Sequence, residues 1–243
     1  MATPASTPAK MRAVQYDACG SGAAGLKHVE LPVPSAKKNE VLLKLQAATI
    51  NPVDWKIQKG TWPLLPRRLP FIPVTDVAGV VVDVGPGVKG LTAGDQVVAM
   101  LNSLNGGGLR RAVASANLTV KRPAEVSAAE VLGFPLLRHC AQALRSIGAK
   151  FDGTGVIKRV GHRCLWRRGL YVQLAKLANL HKRLVPLLLS PNKADLEFLV
   201  GLLKEGKLKT VIDSRFPLSD AGKAWQSSID GHATGKIVVE MES

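Results

Sequence analysis

Val77–Met100 reads VAGVVVDVGPGVKGLTAGDQVVAM. Two short apolar runs, Val77–Val84 and Gln96–Met100, are separated by Gly85, Gly87, Gly90 and Gly94. Apolar segments of strand length divided by glycine turns are the pattern of two neighbouring strands in an all-β unit. The four glycines are read as turn positions rather than phosphate contacts, and Asp95 at the entrance to the second strand as a cap for nearby backbone N–H groups. The same punctuation extends outward from Met11 to Val120, with further strands expected at Arg12–Tyr16, Leu26–Leu31, Val41–Ala48, Ala112–Ser115 and Leu118–Lys121. Together these predict a compact barrel.

Two stretches within and beyond the barrel bear on chemistry. Asn51-Pro52-Val53-Asp54-Trp55-Lys56 places an amide and an amine on either side of a proline that fixes the backbone. Asn51 and Lys56 so held can meet a carboxamide or a developing oxyanion. The alternative is a capped turn leading into a short helix. Further on, Gly161–Asn179 reads GHRCLWRRGLYVQLAKLAN, where Leu170, Leu174, Leu177 and Ala178 recur at helical spacing. A helix entered through closely spaced glycines presents backbone N–H groups to a pyrophosphate. Here only Gly161 and Gly169 stand at the entry, eight residues apart, with Arg163, Trp166, Arg167 and Arg168 between them. No G-x-G-x-x-G spacing exists, and the bulky side chains oppose close approach of backbone to phosphate.

Composition narrows the classes. At 243 residues and 46% hydrophobic content the chain can bury a large core. Thirty-three Lys and Arg against eighteen Asp and Glu leave a net charge of +15, which permits peripheral attraction to an anionic membrane surface. Lys158, Arg159, Arg163, Arg167 and Arg168 cluster without an acid among them, but lack the aromatic interleaving of a nucleic-acid site, so no specific nucleic-acid partner is expected. Cys19, Cys140 and Cys164 lie far apart, which suggests neither a disulfide framework nor a structural metal site and fits reduced thiols in an intracellular compartment. Residues 1–10, rich in Ala, Ser, Thr and Pro, read as a short disordered lead.

Several segments together resemble a known family. Asn51–Lys56, Pro73-Val74-Thr75-Asp76-Val77-Ala78-Gly79-Val80-Val81, Val84-Gly85, Gly94-Asp95-Gln96-Val97 and Lys121-Arg122-Pro123 are similar to the zinc-independent quinone oxidoreductases of the medium-chain dehydrogenase/reductase family. Within that family the resemblance is to the plant chloroplast-envelope type. Lys182–Asn192, Lys209–Ser214 and Gly231–Val239 resemble the same proteins near their ends. The resemblance implies a mixed α/β fold, a GroES-like barrel joined to a Rossmann-type domain. It implies metal-free hydride transfer from NADPH to a quinone or an α,β-unsaturated carbonyl compound such as an enal. On that basis residues 11–125 are the barrel domain, 126–208 an incomplete Rossmann-like domain, and 209–243 a segment returning to the barrel. Asn51 would orient the nicotinamide and Lys56 position a phosphate or substrate oxygen. Gly161 and Gly169 would flank the cofactor loop, and His232 and Lys236, in the turn before the last strand, would lie near the cofactor edge. A solvated turn with an exposed basic side chain is the other reading of that pair. The resemblance also implies a chloroplast envelope or stromal location, with cytoplasm as the alternative.

The chain departs from this pattern where the Rossmann domain should be. Asn179 runs directly into Leu180-His181-Lys182, whose counterparts lie far downstream in the family, so later βα units are expected to be missing. Gly161–Gly169 can be written GGT CAC CGC TGC CTC TGG CGG CGT GGG, and one nucleotide later this reads Val-Thr-Ala-Ala-Ser-Gly-Gly-Val-Gly, the family's strand end and glycine loop. The glycine generated across Trp166–Arg167 is forced by the code. Arg110-Arg111 and Leu137-Arg138-His139-Cys140 invite the same reading, local frame changes with an internal deletion. Two functional expectations follow: an oxidoreductase, impaired by loss of its phosphate loop, or a non-catalytic GroES-like remnant that binds weakly. A shortened parallel sheet would leave an open edge and favour association.

Toward the C-terminus, Leu196, Leu199, Val200 and Leu203 share one helical face from Asp195, with Gly206 as a stop. A strand is expected at Lys209–Ile212, a helix capped by Ser219 and running through Ala221 and Trp225, and a final strand at Lys236–Glu240.

Overall fold

The computed structural model describes residues 9–61, 69–101, 110–132 and 192–241. The Gly161–Asn179 stretch, the basic cluster at 158–168, Cys140 and Cys164 all lie outside these. The described elements in chain order are β1 (Lys10–Gln15), β2 (Lys27–Pro32), β3 (Glu40–Ile50), α1 (Pro52–Gln58), β4 (Asp76–Val84), β5 (Gln96–Met100), β6 (Arg111–Ser115), β7 (Thr119–Lys121), α2 (Ala128–Val131), α3 (Lys193–Lys204), β8 (Ile212–Pro217), α4 (Ala221–Asp230) and β9 (Lys236–Glu240). Each barrel strand lies within a few residues of its expected position. Lys10, assigned above to the lead, is already the first residue of β1.

β1 and β2 form an antiparallel pair, and the other strands form one sheet in the order β7-β5-β4-β3-β9-β8. β3 is its longest strand. One edge of β3 pairs with β4, and the other is shared between β6, opposite Glu40–Lys44, and β9, opposite Ala47–Ile50. β8 lies parallel to β9. The glycine-rich turns do what the sequence expected. A Cβ on Gly85 would stand 1.8 Å from the Lys37 carbonyl oxygen, and Gly94 adopts φ +93°, a conformation that side chains strain. Asp95 accepts from the Thr92 N–H at 2.8 Å and pairs with Lys121 at 2.9 Å.

The sheet buries both faces, because side chains paired across strands share a face and neighbours along a strand alternate. One face collects Leu43, Ala48, Val77, Ala99, Ile237 and Val239 beneath α4, whose Ala224 and Trp225 are buried against it. The other collects Ala47, Ala78, Val98 and Val238 beneath α2 and α3. In α3 the buried residues are Leu196, Leu199, Val200 and Leu202, while Leu203 is half-buried at the margin of the same core. Asn192 caps this helix by accepting from the Asp195 N–H at 2.8 Å, and Gly206 follows it at φ +66°.

Two elements differ from expectation. The strand placed at Lys209–Ile212 runs from Ile212 to Pro217, because Ile212, Ser214 and Phe216 turn inward between exposed Asp213 and Arg215. Such half-buried alternation on an edge strand does not read as an apolar run. α4 begins after Asp220, not at Ser219, because a single 3-10 turn over Leu218–Asp220 buries Leu218 and carries the chain into the helix. Among the described residues no helix is long and apolar enough to cross a membrane.

Candidate active site

The face covered by α2 and α3 changes character along its strands. Thr49 pairs with Asp76 of β4 and with Val238 of β9, so all three share that face. One step on, the register of β3 against β9 brings Asn51 opposite Lys236. Thr49, Asn51, Asp76 and Lys236 therefore extend the row that begins with Ala47, Ala78 and Val238. All four are buried, Asn51 at 1% exposure and Lys236 at 5%.

Local sequence explains why the Asn51 amide is available for this row. Asn51 is the N-cap of α1 and Pro52 its first residue, where a missing N–H costs nothing. Asp54 reaches back to accept from the Asn51 backbone N–H at 2.6 Å, and the Asp54 N–H bonds the Asn51 backbone carbonyl at 2.9 Å. The amide is thus turned away from the cap. Its Nδ2 donates to Asp76 Oδ2 at 2.9 Å, and its Oδ1 accepts a hydrogen bond from Lys236 Nζ. The segment is the capped turn into a short helix, and within it the Asn51 amide is ordered.

Lys236 corrects the reading as a solvated basic turn. It is the first residue of β9, buried, and joined across 185 positions of chain to Asn51. His232 is exposed in the turn beyond α4 and does not join the cluster. Lys56 is half-buried on α1 with its Nζ 5.4 Å from the Trp55 ring centroid, within range of a cation–π contact, and is not part of the row either. Gly161 and Gly169 lie outside the described residues.

Asp54, Asp76 and Thr49 were not singled out from the sequence. Asp54 is 4% exposed, and burial first of all, with repulsion from Asp76, pushes its carboxyl up to about 7. The Asn51 N–H and the Lys236 ammonium oppose that rise without cancelling it. Thr49 is wholly buried and its Oγ1 has no hydrogen-bond partner among the described residues. An orphaned buried hydroxyl costs about 1–3 kcal/mol unless water or a ligand satisfies it. Val74, two residues before Asp76, holds φ +69°, a strained conformation for a β-branched residue and one that concentrates at functional sites.

α1 is fixed at its other end as well. Gln58, 1% exposed, accepts from Trp225 Nε1 at 3.1 Å and donates to the Gly22 carbonyl at 2.9 Å. Arg122, from the Lys-Arg-Pro segment, is buried and bonds the Val126 carbonyl and Gln46 Oε1, tying the approach to α2 onto β3. Among the described residues no group of three or more His, Cys, Asp or Glu is placed to hold a metal ion.

Comparison with known proteins agrees with this architecture. A model of the alcohol dehydrogenase GroES-like domain matches residues 37–133, and one of the zinc-binding dehydrogenases matches residues 92–239. The chain is 43% identical to the chloroplast envelope quinone oxidoreductase homolog of Arabidopsis thaliana, over 95% of this chain and 98% of the relative. It is 42% identical to the chloroplastic quinone-oxidoreductase QR1 of Triphysaria versicolor over the same shares. The structure of the quinone oxidoreductase from Coxiella burnetii superposes with a TM-score of 0.78 at 21% identity, covering 96% of this chain and all of that one. The chain belongs to the quinone oxidoreductases of the medium-chain dehydrogenase/reductase family, with the mixed α/β fold of a GroES-like barrel joined to a nucleotide-binding domain.

Proposed function

We propose that this chain is an NADPH-type oxidoreductase for quinones or α,β-unsaturated carbonyl compounds such as enals, whose barrel side of the site is in place and whose phosphate side is impaired. The single observation that carries the first half is the buried polar row. Its orphaned Thr49 hydroxyl and its fixed Asn51 amide suit a ligand that brings a carboxamide or carbonyl. One amide hydrogen of Asn51 goes to Asp76, and the second serves a ligand oxygen. Lys236 holds the amide's own oxygen, so Asn51 is oriented before any ligand arrives. Lys56, on the same helix as this cap, is assigned to a phosphate or substrate oxygen, and His232 to the cofactor's outer edge.

NADPH, when bound, supplies the hydride. The protein's share is binding, orientation and exclusion of water.

The second half rests on the sequence before the helix expected over Leu170–Ala178, where Gly161 and Gly169 enclose three arginines and a tryptophan instead of closely spaced glycines. It is supported by length: the alignment to the Arabidopsis relative runs over 330 positions, more than the 243 residues of this chain. A boundary near residue 125, an incomplete nucleotide domain to 208, and return of residues 209–243 to the barrel belong to the same proposal. Placement in the chloroplast envelope or stroma is part of it, with the surplus positive charge favouring an anionic membrane surface.

Titration of the purified chain with NADPH, followed by nucleotide fluorescence and thermal melting, tests the proposal. Saturable binding in the high-micromolar range with a rise in Tm is the expected outcome. Affinity in the nanomolar range would refute impairment. No binding up to millimolar NADPH by the folded chain would refute the oxidoreductase and leave the non-catalytic barrel.

A further inference from the structure

The buried row and the cap beside it contain two carboxylates and one ammonium. Asp54 on α1, Asp76 on β4 and Lys236 on β9 surround the Asn51 amide, and Asp76 and Lys236 are the charged groups that act on Asp54. With all three ionised the cluster is buried at a net charge of −1. With one proton it is neutral. Burial first of all, with repulsion from Asp76, penalises the charged form of Asp54, so its carboxyl keeps its proton at a pH where the unfolded chain would release it.

Geometry places that proton where it matters. Asp54 accepts from the backbone N–H of Asn51, whose side chain bridges β4 and β9. A negative charge on Asp54 adds to Asp76 on one side of the amide and draws the Lys236 ammonium from the amide oxygen toward the carboxylates. The amide then keeps Asp76 but loses the second of the two partners that fix its orientation.

We propose that Asp54 is a positioning residue of the site, and that the protonated form of its carboxyl is the one that keeps Asn51 and Lys236 set for the cofactor. This rests on the NADPH reading above. The carboxyl's upward displacement to about 7 places the change in the neutral range. Cofactor affinity is then steady at acid pH and falls above neutrality, by up to about tenfold per pH unit. Folding stability is coupled in the same sense. A carboxyl whose folded value is raised contributes stability that is complete below its unfolded value near 4 and is lost as pH rises toward 7.

The test is NADPH titration and urea unfolding of the full chain at pH 6 and pH 8.5, with Asp54→Asn and Asp76→Asn compared with the unsubstituted protein. Asn mimics the protonated carboxyl, so Asp54→Asn should bind NADPH at pH 8.5 as the unsubstituted protein does at pH 6, with its dependence on pH reduced to that of the nucleotide itself. Asp76→Asn removes the repulsion from Asp54 and should move the transition to lower pH. Equal pH dependence in Asp54→Asn and the unsubstituted protein would overturn the proposal. If no form binds NADPH, the cofactor reading fails by itself, and the pH dependence of unfolding, read between pH 4 and 7 without nucleotide, still decides whether Asp54 holds the proton. A carbon-13 carboxyl titration of Asp54 with a midpoint below 5 would also overturn it.

Discussion

Two ends of one sheet face differ by a single pair of residues along β3. At Ala47 the face is apolar, with Ala78 and Val98 beneath α2 and α3. At Thr49 and Asn51 it holds a hydroxyl, an amide, a carboxylate and an ammonium, equally shielded from solvent. The backbone ladder is continuous through both, so the strands do not decide which end reacts. What differs is how each end meets its burial. The apolar end gains from desolvation, whereas the polar end is tolerated only because each charge finds a partner and the amide links them.

The substitution expected to break this contrast most severely is Lys236→Met. It keeps the length of the side chain but leaves Asp54 and Asp76 without their counter-charge, at a cost of about 3–5 kcal/mol in urea unfolding at neutral pH. At pH 4.5, below the raised value of the Asp54 carboxyl, part of that loss should be recovered. At the apolar end, Leu199→Ala removes a fully buried side chain of α3 and should cost about 2–4 kcal/mol, with no dependence on pH. The two variants separate charge from packing. The smallest effect is expected from Thr49→Val. Exchanging an orphaned hydroxyl for a methyl should leave stability unchanged or raise it by up to about 1 kcal/mol, yet weaken NADPH binding several-fold. Loss of stability by more than that would mean the hydroxyl is already satisfied in the free protein.

How legible this was depended on whether the signal was local. The glycine turns around Gly85 and Gly94 and the helical face of α3 follow from neighbours a few residues apart, and they were read correctly. Asn51 is legible because Pro52 follows it and fixes the backbone there. Lys236 was found only through resemblance, and its environment was missed, because its partner lies 185 residues away and no spacing rule reaches that far. Asp54 and Asp76 carried no signal of their own. An isolated acid in a turn and one at the start of a strand look like surface residues until pairing brings them to the same amide. β8 was displaced for the opposite reason: its charged residues are regular and exposed, so alternation, not hydrophobicity, was the signal.

The shared edge of β3 has a consequence for how the molecule is made. Residues 47–50 of that strand wait for 237–240 before their hydrogen bonds close, since β6 covers only the first half of the edge. During synthesis one edge of residues 47–50 therefore stays open until residues 237–240 have been made. A nascent chain stalled before β9 would present that gap to any extended segment nearby, its own or another molecule's. β9, which follows every other strand among the described residues, is thus the one that seals the middle of the sheet.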